Sequence, residues 1–177
     1  TVSKMDVNSC SVSNLLTIGG DGFDEASSIS IDNNDQTLII AGTFESAIIT
    51  IPASMTSSGN DIVLTNIGSP GIWNGFLMKF NPLTMKVIWA FSLGYFWRDN
   101  VSDLAVDNDG NIYISGTIRG QGTTPIINFA PLGVSTSAQT GTTGIYASDV
   151  YTGFVAKYDE NGMLIWYDVI QPYGLFN

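Results

Sequence analysis

The chain has no histidine, one cysteine and only six basic residues among its 177. Without histidine there is no Ser-His-Asp triad and no imidazole base, and most zinc sites are excluded. With Cys10 alone, neither an internal disulfide nor a thiolate metal cluster can form. That cysteine reads as an intermolecular bridge in an oxidising compartment or, more simply, as a small buried apolar residue. The cations Lys4, Lys79, Lys86, Arg98, Arg119 and Lys157 are scattered, whereas nucleic-acid affinity needs clustered charge that displaces counterions from phosphates. A net charge of −10 disfavours anionic membrane surfaces by the same sign argument. No run approaches the ~20 apolar residues of a membrane-spanning helix, so membrane insertion is not expected. The chain opens at Thr1 without a charged and then apolar leader, as a mature product or a piece of a longer chain would.

Charged residues make up 12% of the chain and hydrophobic ones 44%, so the sequence can bury a core while neutral Ser, Thr, Asn and Gly carry much of its solubility. This balance predicts an extracellular or cell-surface location.

What the chain has in quantity is repetition. IGGDGFDEASSISIDNNDQTLIIAGT at 18–43 is answered by LGYFWRDNVSDLAVDNDGNIYISGT at 93–117, with Gly19, Asp24, Ile29 and Asp32 returning as Gly94, Asp99, Leu104 and Asp107. GFLMKFNPLTMKVIWAF from Gly75 is answered by GFVAKYDENGMLIWYDV from Gly153, which matches Lys79 with Lys157 and Trp89 with Trp166. The step from Gly42 to Gly116 is 74 residues, and a fixed period means an array of one supersecondary unit.

Within a unit the period is two. Strand-like alternation at 103–107 and 111–116 flanks Asn108-Asp109-Gly110, and 154–158 and 164–169 flank Asp159-Glu160-Asn161-Gly162. Each pair is a β-hairpin, and in the first Gly110 supplies the positive φ that the turn needs. The first unit has the same hairpins, turning at Asn33-Asn34-Asp35-Gln36 and Asn81-Pro82-Leu83-Thr84. No window has a useful helical period, so the expected fold is all-β, with two four-stranded antiparallel sheets carrying long inserted loops.

The succession G-G-x-G-x-D, then D-x-D-G-N-I-Y-I-S-G-T, then G-F-V-A-K-Y-D-E-N-G resembles the β-propeller repeat of secreted proteins, the SBBP repeat. The resemblance implies that each unit is a propeller blade. It implies no activity, since such repeats scaffold many functions. The resulting division is 1–17, 18–92 for the first blade and 93–177 for the second. Residues 13–17 stand where the outermost strand of a preceding blade would lie, one orphan strand. Two blades do not close a ring of about four to eight, so the expected partners are copies of the chain or further blades, in a larger propeller, an oligomer or a filament.

Asp107-Asn108-Asp109-Gly110-Asn111 has the oxygens of a calcium loop but no distal bidentate Glu, and reads as a turn. Asp24, Glu25, Glu45, Asp99 and Asp103 keep a two-carboxylate glycosidase formally open. The recurrence of Asp24 as Asp99 instead suggests carboxylates that bind backbone donors in the link between units. Lys79 and Lys157 read as snorkelling or Asp-paired residues, and Trp89 and Trp166 as packing. The chain is therefore expected to be non-catalytic, with no cofactor and no metal.

The insertions at 44–74 and 118–152 do not match each other, and variable loops on a rigid scaffold carry recognition. With the links between units they place Trp73, Trp97, Arg98, Tyr146 and Tyr151 on one side, as candidate interaction residues. These would pack against a neighbouring subunit or, in a lectin, stack on glycan rings. Asn100-Val101-Ser102 is a glycosylation sequon.

Overall fold

A computed structural model of the chain describes residues 1–68, 71–94, 98–120, 129 and 150–170. Twelve strands occur among them. β1 (Val2–Met5) and β2 (Val12–Leu16) form a hairpin. β3 (Asp24–Asp32), β4 (Thr37–Phe44), β7 (Asn74–Asn81) and β8 (Lys86–Leu93) form one four-stranded antiparallel sheet in that order. β9 (Asp99–Val106), β10 (Ile112–Gly120), β11 (Val150–Tyr158) and β12 (Leu164–Ile170) form a second. Between β4 and β7 lies a separate hairpin of β5 (Ile48–Ile51) and β6 (Ile62–Thr65), with a single 3-10 turn at Ala53–Met55. No described helix is long and apolar enough to cross a membrane.

The sequence repeat is a repeat of register. β3 bulges between Ala26 and Ser28 against β4, and β9 skips Ser102 between Val101 and Asp103 against β10. Gly42 and Gly116 face these bulges. A Cβ on Gly42 would sit 2.0 Å from the Glu25 carbonyl oxygen, and one on Gly116 1.9 Å from that of Asn100. The backbone approach at the bulge is thus what requires glycine in the recurring A/S-G-T. The outer hairpins agree too: Lys79 opposes Trp89 and Lys157 opposes Trp166, each with a register shift at the next residue.

The N-terminal segment differs from expectation. In place of one orphan strand at 13–17 there is a hairpin, and its residues hold the positions of β7 and β8. Met5 opposes Val12 as Phe80 opposes Val87. At the turn, Asp6 Oδ1 accepts the amides of Asn8 and Ser9 at 3.0 and 2.8 Å, as Asn81 Oδ1 accepts those of Leu83 and Thr84 at 2.9 and 3.1 Å. Asp159 Oδ1 does the same for Asn161 and Met163. The residue with positive φ is Cys10 at 55°, Met85 at 58° and Gly162 at 79°. Cys10 is therefore an exposed turn residue, contrary to the buried reading, because the turn needs its backbone and points its side chain outward.

Two apolar layers hold these elements. One face of the first sheet (Ile39, Ala41, Leu77, Phe91, Leu93) packs on the second sheet's Val101, Leu104, Ile114 and Phe154. The opposite face (Ile40, Phe44, Phe76, Met78, Phe80) is covered by Ile49, Ile51 and Leu64 of the β5–β6 hairpin, with Leu16 and Val2 of the N-terminal segment and Ile18 just after it alongside. Each large aliphatic or aromatic side chain so buried contributes about 1.5–3 kcal/mol.

Candidate functional site

The seam between the two sheets is closed by hydrogen bonds, most of them between residues one repeat apart. Ser27 Oγ, on the bulge, donates to the Val101 carbonyl at 2.6 Å, 74 residues on. Ser28 Oγ donates to Asp103 at 2.8 Å, and Asn34 Nδ2 to the Asn108 carbonyl at 3.1 Å. Thr43 Oγ1 donates to Asn100 Oδ1 at 3.1 Å, while the Asn100 amide nitrogen lies 3.4 Å from Ser102 Oγ. The sequon asparagine thus stands within strand β9, with its carboxamide at the seam.

Lys79 sits buried in this seam. Its ammonium is 3.1 Å from Asp32 and 2.9 Å from Asp35, and it reaches the Glu160 carbonyl of the second sheet at 3.5 Å. Burial opposes its charge, yet Asp35 and Asp32 outweigh that and hold the Lys79 pKa above the ordinary 10.5. Burial likewise opposes ionisation of Asp35, and bonds from Thr37 and Lys79 outweigh it, so its pKa lies below 3.8. The matching pair in the second sheet, Lys157 with Asp107, is looser at 3.9 Å. Trp89 stacks on Phe91 at 5.6 Å, and a Cβ on Gly162 would stand 3.3 Å from the Trp89 indole. Lys79 and Trp89 are therefore structural, as their recurrence suggests, whereas Trp166, expected to pack in the same way, is 43% exposed because no further described sheet covers its face.

Asp24, among the carboxylates offered for catalysis, and Asp107 of the calcium-like turn are held by local hydrogen bonds. Asp24 takes the amide of Gly20 at 2.8 Å, those of Glu45 and Ser46 at 3.2 Å each, and the Ser46 hydroxyl at 2.7 Å. This is the tie across the link between units that its recurrence predicts. Asp107 Oδ1 receives the Asp109 and Asn111 amides at 3.0 and 2.8 Å, and both of its oxygens receive the Asn111 side chain. Those bonds build the turn at Gly110, whose φ is 82°.

At the opposite end of the sheets from these turns lie the candidate interaction residues. Trp73, just before β7, has the Arg98 guanidinium 5.3 Å from its ring centre, and its carbonyl accepts the Asp99 amide at 2.8 Å. Arg98 in turn accepts the Arg119 amide at 3.1 Å. Arg119 covers the Tyr151 ring at 5.5 Å, the two being paired across β10 and β11. The structure thus joins Trp73, Arg98 and Tyr151 along one edge and adds Arg119, which composition alone left among the scattered cations. Trp97 and Tyr146 lie outside the described residues. An open cleft of about 500 Å³, lined by none of these residues, is bounded by Asp21, Phe23, Glu45 and Asn66. Its Asn66 amide is already spent on the carbonyls of Phe44, Glu45 and Ile72.

Residues 94–121 match the family of the beta-propeller repeat (SBBP). The matched stretch begins at the link glycine and runs through β9 and β10, the strands that carry the bulge, the Asp107 turn and Gly116. A search of curated proteins found no match to the chain.

Proposed function

We propose that this chain, which carries a β-propeller repeat at 94–121, is a non-catalytic structural and interaction module whose sheets act as blades of a larger propeller-type assembly, outside the cell or at its surface. The observation that carries this reading is what happens to one position at a seam and at an end. Leu93, covered by the second sheet, is 3% exposed; Ile170, which opposes Gly153 as Leu93 opposes Gly75, is 62% exposed. Trp166, in the place of the packed Trp89, is 43% exposed. An apolar face that is covered once within the chain and open once at its end favours a further sheet there.

The lectin reading draws less support. The rings of Trp73 and Tyr151 already carry the guanidinium groups of Arg98 and Arg119, so a pyranose would have to displace a cation–π partner. Negative-stain microscopy of the purified chain tests the assembly reading: rings or filaments are expected, and a field of isolated monomers contradicts it. A glycan array is expected to return no ligand that Trp73→Ala abolishes.

A further inference from the structure

We infer that the free edge of β1, together with the outward face of β3, is a slot for one two-stranded β-hairpin of the same repeat type, bearing an aspartate at its turn. This rests on the assembly reading and names the partner's chemistry at this end of the chain.

Three observations define the occupant. The first is the edge. β1 and β2 hold the places of β7 and β8, but β7 pairs with β4 on its far side, whereas β1 pairs only with β2 among the described residues. The missing neighbour is thus a strand of the β4 kind, running antiparallel to β1 and joined to a strand of the β3 kind. Edge addition of this sort gives the backbone groups of 2–5 their partners.

The second is the face. Leu104 in β9 is 9% exposed beneath the first sheet, while Ile29, its counterpart in β3, is 53% exposed. Ile31 is equally bare, while Val106, its counterpart, packs against the core. The N-terminal hairpin already covers the neighbouring ground, since Val2, Leu16 and Ile18 line the small cavity above Ala26, Ile40 and Phe76. What remains open is the strip that an inner hairpin would cover and an outer hairpin cannot.

The third is the charge. Lys4 precedes the turn aspartate by two residues, as Lys79 precedes Asn81 and Lys157 precedes Asp159. Lys79 and Lys157 each pair with an aspartate of their own sheet's first hairpin, Asp32 and Asp107. Lys4 makes no ion pair among the described residues. An incoming hairpin of this type brings the aspartate to it.

The test uses the whole chain with a copy of residues 99–118 fused ahead of Thr1 through a flexible Gly-Ser linker. The tether supplies an effective concentration of about millimolar, so that the marginal stability of a lone hairpin does not hide binding. Hydrogen exchange followed by mass spectrometry should slow at 2–5 and around Ile29 relative to the unfused chain. The free 99–118 peptide, added to the unfused chain, should give the same protection, weakened about ten-fold or more in affinity by Lys4→Ala, or by Asp107→Asn in the peptide. Ile29→Asp should abolish the protection. Unchanged exchange at 2–5 in the fusion overturns the slot, as does protection that survives both Lys4→Ala and Ile29→Asp. Sedimentation of the unfused chain separates the two ideas: a chain that self-associates while the fused hairpin leaves 2–5 unprotected retains the assembly reading and loses this one.

Discussion

Ser28 donates its hydroxyl to the carboxylate of Asp103 at 2.8 Å, and the two residues, 75 apart, hold the same place in successive repeats. A repeat thus meets itself across the seam through non-identical side chains at identical positions. That bond, with the Leu104 amide, keeps the Asp103 pKa below the ordinary carboxylate value. A depressed folded-state pKa adds stability above the unfolded value near 3.8, which is lost as pH falls through the folded one. Acid denaturation followed by tryptophan fluorescence should therefore begin below about pH 4, and Ser28→Ala should reduce the pH dependence in that window. An acid transition identical in Ser28→Ala removes this link between seam and titration.

Lys79 should dominate the electrostatics of the fold. Lys79→Ala leaves Asp32 buried beside no cation and should cost about 3–5 kcal/mol, whereas Lys157→Ala, at the looser and more exposed pair, should cost much less. Because the Lys79 pKa is raised, its contribution is fully present below the unfolded value near 10.5 and lost as pH climbs through the folded value. Urea denaturation of both variants at neutral pH checks the order; equal losses refute it.

The bulge glycines admit no side chain. Gly42→Ala would set a methyl 2.0 Å from the Glu25 carbonyl, and the loss should reach about 3 kcal/mol. Gly59, with nothing within 4 Å, has room for a methyl, but its φ of 72° limits the cost of Gly59→Ala to backbone strain of about 1 kcal/mol. Thermal denaturation of the pair separates steric from conformational cost.

Two turns can be improved. Gln36 and Met85 take φ of 58° where the second sheet uses Gly110 and Gly162. Met85→Gly should relieve left-handed strain and stabilise by up to about 1 kcal/mol, visible as a raised urea midpoint. A lowered midpoint would show that the Met85 side chain contributes more than the strain it imposes.

The sheets, their turns and the structural use of Asp24, Lys79 and Trp89 were legible in the sequence because each recurs in phase, and recurrence filters local needs of the fold from accident. The N-terminal hairpin was harder to read. Its signal, Lys4 and Asp6 at the spacing of Lys79 and Asn81, is embedded in Ser and Asn, with Cys10 where a glycine would have announced the turn. The β5–β6 hairpin is signalled only by the short apolar run Ile48-Ile49-Thr50-Ile51, and its sequence does not match that of 118–152, so the 44–74 stretch read as loop. The pairing of Arg98 with Trp73 and of Arg119 with Tyr151 was not legible at all. The first depends on which strand ends meet across the two sheets and the second on the β10–β11 register beyond the matched residues, and no local pattern encodes either.

The most direct test of the module as a piece of a larger array is sedimentation velocity of the chain over a wide concentration range, beside Ile170→Asp and Ile29→Asp. The account predicts species heavier than the 19.0 kDa monomer that grow with concentration in the parent and diminish in either variant, since each places a charge on a face a further sheet would cover. A parent chain that sediments as a single monomer at every concentration, and unfolds cooperatively as one, contradicts it.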